Sequence, residues 1–257
     1  LLLKNKKKII IPITNTKIED QIPNNFFIFF TKHIYASSWH DYLFSLIIKK
    51  KNLGNNFIFK RINSSRNEKL TLKTDINFLT YFKKKLFNFV NFIFLPVIRN
   101  QPLVFFNSYL SLKSKLFLIS RNFSLPIHFD ESKNLIPPNI LLRKSLSNKY
   151  KNKNNIYNNI LKSSFLNIPT DFLENFYNVG KNVSESKVAK NPKVIFTANG
   201  VYISSVQSRY IAECTSKGSK LILAQHGGRY RNIQNFFNFK YEVDISDYFV
   251  SWGGRKN

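Results

Sequence analysis

The run KVIFTANGVYISSVQSRYIAECTSKGSKLILAQHGG (193–228) constrains the fold more than any other part of this chain. KVIFTA (193–198) is a compact apolar segment of strand length. From Ile203 to Lys217, Ile203, Val206, Tyr210, Ile211 and Cys214 recur on one helical face. Gly218 stands where a helix closing in a left-handed turn favours glycine. KLILA (220–224) is the next strand. Strand, helix and strand with short joints make a βαβ unit, and such units are nearly always right-handed and parallel. DYFVSW (247–252) reads as one more strand of the same sheet. The expected class is α/β, a Rossmann-like parallel sheet flanked by helices.

Open parallel sheets bind ligands at the carboxyl ends of their strands. Here those ends read Asn199-Gly200, Gln225-His226-Gly227-Gly228 and Ser251-Trp252-Gly253-Gly254. Four of the chain's eight glycines lie in the second and third of them. Glycine permits a tight turn and brings backbone N–H groups close to an anion. Arg229 and Arg231 follow at once, and a guanidinium suits bidentate contact with phosphate. His226 is the one group there that exchanges a proton readily near neutral pH. Each residue also has a plainer reading. His226 can hydrogen-bond its own loop, the arginines can be solvated, Glu242, Asp244 and Asp247 can be surface charges, and Trp252 can be core.

The rest of the chain is less distinctive. Residues 7–13, 26–30 and 57–60 suit short buried strands, and 37–50 suits a helix. Residues 76–95 read as a helix ended by Pro96. Residues 102–110 read as a strand leading into a turn or helix. The Asn-, Lys- and Ser-rich stretch after Ser132, with Pro137-Pro138, reads as a linker or mobile loop. Residues 164–179 offer a helix with Pro169 near its start and Thr170 or Asp171 as cap. The expected organisation is a divergent α/β region over 1–131, a linker over 132–160 and the βαβ region over 161–257.

A net charge of +26 would attract nucleic acid, anionic membrane or phosphorylated substrates. The charge is dispersed, and no zinc-finger spacing, aromatic RNA-binding signature or basic zipper accompanies it, so no specific nucleic acid is expected. A basic nucleic-acid- or membrane-binding protein is the competing class. The single cysteine, Cys214, excludes an intramolecular disulfide and a cysteine-based zinc cluster. His33, His40, His128 and His226 lack ligand-like spacing, so no metal is expected. No segment reaches the roughly 18 apolar residues of a membrane helix. The chain contains no Met, which suggests a piece of a longer protein, one that could be inactive alone.

The run TANGVY…IAE…KGSKLILAQHGGRY…YEVDISDYFVSWG resembles a family of bacterial transferases for surface carbohydrate of lipopolysaccharide or capsule type. Its elements are a TSNG-like strand end, an IAE helix, a QHGGxYG turn and an HExxIxDxFxxWGW segment. NSYL (107–110) and IPTDFLENF (168–176) are weaker matches. The resemblance implies the N-terminal half of a GT-B-like enzyme, with His226 as general base and Glu242 as a second catalytic group. Asn199, Gly200, Gln225, Gly227, Gly228, Arg229, Tyr230, Asp247 and Trp252 would bind substrate. It further implies a nucleotide-activated sugar or polyol donor, no separate cofactor, and a saccharide or lipid-linked acceptor. The expected place is the cytoplasm, with peripheral contact at the inner face of the membrane. Three positions depart from the pattern: Arg231 replaces its glycine, Tyr241 its second histidine and Gly254 its last tryptophan.

Overall fold

A computed structural model describes residues 9–14, 18–51, 57–62, 93–122, 124–127, 129, 136–149, 156–227, 230 and 237–253. The chain forms two compact units, each assembled from two stretches. One comprises Leu1–Leu72 and Asn134–Tyr177, the other Lys73–Lys133 and Asn178–Asn257.

The first unit contains strands β1 (Ile9–Thr14) and β2 (Phe57–Ile62), paired in parallel with Ile9 opposite Phe57. Between them run helices α1 (Phe26–Thr31) and α2 (Ser37–Lys51). Parallel strands need such a crossover. Residues 26–30 are thus helical rather than extended. A short apolar run is equally compatible with either state, and here the ends decide. Asn25 caps α1 by accepting from the Ile28 N–H at 2.7 Å. The Phe26 N–H donates to Asp171 Oδ2 at 3.0 Å. Thr170 and Asp171, expected to cap their own helix, therefore belong to a 3-10 turn (Thr170–Phe172) that serves α1.

Helix α3 (Leu95–Asn100) begins at the proline expected to end a helix. Pro96 occupies the first turn, where a missing N–H costs nothing; residues 76–92 lie outside the described residues. The second unit continues with strand β3 (Leu103–Phe106) and helix α4 (Leu112–Asn122). The stretch expected as a linker instead carries helix α5 (Ile140–Lys149) and the start of α6 (Ile156–Ser164), both in the first unit.

A buried ion pair holds α5 in place. Arg143 is fully buried, and its guanidinium meets Glu174 twice at 2.6 Å. It also donates to the carbonyls of Ile168 at 2.8 Å and Phe165 at 3.2 Å. Burial works against the Glu174 charge, but the hydrogen bonds from Arg143 and the Asn139 backbone outweigh it and lower its pKa. A lowered folded-state pKa gives stability that is complete above the ordinary glutamate range and lost as pH falls through the lowered value. Acid titration of unfolding should accordingly show the first unit weakening below about pH 4.5, with the slope absent from Glu174→Gln.

Helix α7 (Phe176–Glu185), which belongs to the second unit from Asn178 onward, precedes strand β4 (Val194–Thr197). Then come helices α8 (Gly200–Ile203) and α9 (Ser205–Thr215), strand β5 (Lys220–Ala224), helix α10 (Phe237–Ile245) and strand β6 (Tyr248–Val250). The sheet order is β3-β4-β5-β6, every pair parallel. The α/β class with a Rossmann-like sheet flanked by helices is therefore correct. Gly218 has φ +97°, the left-handed stop expected after α9. Val104 and Phe105, on opposite faces of β3, are both fully buried. That is why the strands read as unbroken apolar runs. Phe106, Phe129 and Tyr210 form an aromatic cluster, with Tyr210 donating to the Ala189 carbonyl at 2.7 Å. Among the described residues, no helix is long and apolar enough to cross a membrane.

Candidate active site

Because all four strands are parallel, their carboxyl ends share one edge. β5 leads into Gln225, His226 and Gly227. The Gln225 N–H extends the ladder to the Val250 carbonyl at 2.8 Å. Its side chain then joins two loops: Nε2 donates to the Gly227 carbonyl at 2.9 Å, and Oε1 accepts from the Trp252 N–H at 3.2 Å. Gln225 thus fixes the turn that carries His226. The Trp252 backbone is held in this way while the residue is 68 % exposed, free to stack on a planar or sugar-ring surface.

His226 Nε2 lies 3.0 Å from Glu242 Oε1, and the Tyr230 hydroxyl donates to the same oxygen at 2.9 Å. Glu242 is fully buried, while the His226 side chain keeps 20 % exposure. Helix α10 brings Glu242 to this edge, sixteen residues along the chain from His226. Two aromatic rings flank the imidazole: Tyr230 at 5.4 Å and Tyr202 at 6.1 Å between centroids. The Tyr202 hydroxyl donates to the Asn238 carbonyl at 3.2 Å. Burial, reinforced by the charge of Glu242, pushes both phenols far above their ordinary range. They therefore remain protonated and serve as hydrogen-bond donors. Glu242 Oε2 is buried with no hydrogen-bond partner among the described residues.

The neighbouring strand ends complete the edge. Asn199 Nδ2 donates to the Tyr109 hydroxyl at 2.7 Å, and Asn199 Oδ1 is buried without a partner among the described residues. Asn107 donates to Gln207 Oε1 at 2.8 Å. Asn107 and Tyr109 both adopt positive φ, +45° and +51°. Non-glycine residues seldom do so, and such positions cluster at functional sites. Gly200 serves packing. A Cβ there would run into the Phe106 ring and lie 2.7 Å from Thr197 Oγ1. Gly200→Ala should destabilise the second unit by roughly 1–3 kcal/mol, read as a lower midpoint in urea unfolding.

The structure thus gathers Asn199, Gly200, Gln225, His226, Gly227, Tyr230, Glu242 and Trp252 at or beside one sheet edge. Asp247 lies elsewhere. It accepts from Lys220 Nζ at 2.8 Å and from the Leu221 N–H at 2.9 Å, joining the amino ends of β5 and β6. At about 3.3 Å per residue, a strand length separates it from His226. The expected substrate contact from Asp247 therefore has no support in its position, and sequence spacing could not distinguish the two ends of the strand. Gly228, Arg229, Arg231 and Gly254 lie outside the described residues. Sequence reasoning missed Tyr202, Tyr109, Asn107 and Gln207. Tyr202, Asn107 and Tyr109 did stand in the motif segments TANGVY and NSYL, but nothing in one sequence shows which way a side chain points. Among the described residues, no group of three or more His, Cys, Asp or Glu is placed to hold a metal ion.

A Rossmann-like sheet whose ligand edge carries a histidine on a buried carboxylate fits an enzyme of the α/β class. The model of the LIC12162 family transferases matches residues 2–257, so the chain belongs to that family. The match carries the transferase class; it specifies neither substrate nor a two-domain architecture. No curated protein and no solved structure matches the chain.

Proposed function

We propose that the chain transfers a glycosyl or polyol-phosphate group in bacterial surface-polysaccharide synthesis, as the acceptor-side half of a GT-B-like enzyme. The observation that carries this reading is the His226–Glu242–Tyr230 cluster at the carboxyl edge of the parallel sheet. His226 takes the proton of an acceptor hydroxyl. The acceptor oxygen then bonds to the donor's anomeric carbon or phosphorus. The bond from that atom to the leaving phosphate oxygen breaks, and its electron pair departs with the nucleotide. A general base of this kind typically contributes roughly 10²–10⁴-fold in rate. Exposed Trp252 offers a stacking surface for a sugar or base, and the net charge of +26 favours phosphorylated donors and anionic membrane surfaces.

The test is incubation of the protein with nucleotide-sugar and nucleotide-polyol donors and saccharide or lipid-linked acceptors. Coupled product and released nucleotide should appear together. Failure to form product with any donor class sinks the reading.

A further inference from the structure

We infer that His226 accepts the acceptor's proton at Nδ1, and that Glu242 is the positioning residue that leaves this atom free, with Tyr202 and Tyr230 holding the pair in place. The inference rests on the reading of His226 as general base and adds the atom and its supports. A carboxylate accepts hydrogen bonds and has none to donate. With Glu242 ionised, the 3.0 Å contact requires the proton on His226 Nε2. The neutral ring then keeps its lone pair on Nδ1, the nitrogen not engaged by Glu242. The choice of tautomer by the partner of the other nitrogen is a general property of imidazole.

Burial differs across the pair as this division requires. Glu242 is wholly buried, so it cannot meet a substrate directly, whereas His226 is partly exposed. The rings of Tyr230 and Tyr202 stand at 85° and 60° to the imidazole and oppose its rotation. The Tyr230 hydroxyl shares Glu242 Oε1 with His226 and fixes the carboxylate. When Nδ1 takes a proton, the imidazolium forms against a buried carboxylate that stabilises it. The later loss of that proton to solvent restores the starting state.

Nitrogen-15 NMR of histidine-labelled protein tests the tautomer without any substrate. His226→Ala assigns the signals, since the chain has four histidines. Above the imidazole titration, His226 should show one Nε2–H tautomer with a downfield, slowly exchanging proton. Glu242→Gln should move that proton upfield, and Glu242→Leu should let the two tautomers average. A proton found on Nδ1, or a spectrum unchanged by both Glu242 substitutions, overturns the inference. Where Glu242→Leu fails to fold, the wild-type and Glu242→Gln spectra still decide. In the transfer assay with nucleotide-sugar donors, Glu242→Gln should lower kcat by roughly 10²-fold or more with KM little changed. Loss of turnover in His226→Ala but not in Glu242→Gln overturns the positioning role and spares the general base. Undiminished turnover in His226→Ala overturns the general base itself.

Discussion

Replacing His226 with alanine lowers kcat for transfer by roughly 10²–10⁴-fold, the range of a lost general base. The acceptor hydroxyl must then shed its proton to water, which is neither positioned nor basic enough to assist. KM should move little, because no ground-state contact to the donor is removed. The substitution deletes a ring that is 20 % exposed and rests on Tyr202 and Tyr230. Some loss of stability is therefore expected as well. Turnover should be compared at a temperature where near-ultraviolet circular dichroism shows both proteins fully folded. His226→Gln separates shape from basicity. Its amide can hydrogen-bond Glu242 but cannot take the acceptor's proton, so the rate should fall as in the alanine variant while the fold is better kept.

Arg143→Met destabilises the first unit by about 3–5 kcal/mol, the cost of breaking a buried ion pair from one side. Methionine approximates the buried volume, so the cost is electrostatic. Glu174, 4 % exposed, would keep its charge with only backbone N–H groups, those of Asn139 and of Glu174 itself, to stabilise it. The Phe165 and Ile168 carbonyls would lose their donor. The double replacement Arg143→Met/Glu174→Leu should recover much of the loss, because it removes the stranded charge. The two tryptophans make the measurement local. Trp39 lies on α2 of the first unit and Trp252 beyond β6 of the second. In a Trp252→Phe background, urea unfolding followed by Trp39 fluorescence reports the first unit alone. An unchanged midpoint in Arg143→Met would show that the pair contributes nothing net.

The contrast between the two units shows what is readable in a sequence. KVIFTA and KLILA are legible as strands because both faces of the sheet are covered, which calls for unbroken apolar runs. Gly218 is legible because its left-handed φ excludes most side chains. The same reasoning fails for FFIFF. Five apolar residues are too few to show a period, and the deciding contact comes from Asp171, 145 residues away. It fails again at Pro96, since proline both ends and begins helices. The stretch 140–149 reads as a linker because its helix inverts the usual pattern: the buried positions, Arg143 and Ser147, are polar, while Leu141 and Leu142 are exposed. Its stability comes largely from Arg143 meeting Glu174, a pairing that spans 31 residues.

The site divides in the same way. The sequence by itself determined the parallel βαβ unit and the carboxyl edge at which Asn199, Gln225, His226 and Trp252 emerge. These follow from periodicity and chain direction, which are local properties. Only the tertiary structure decided that Glu242 is buried against His226, that Tyr202 and Tyr230 enclose the imidazole, and that Asp247 sits at the far end of the sheet. Those facts depend on where α10 packs and how each side chain points. Neither is encoded in the spacing of residues along the chain, because each contact is fixed by the packing of elements that are distant in sequence.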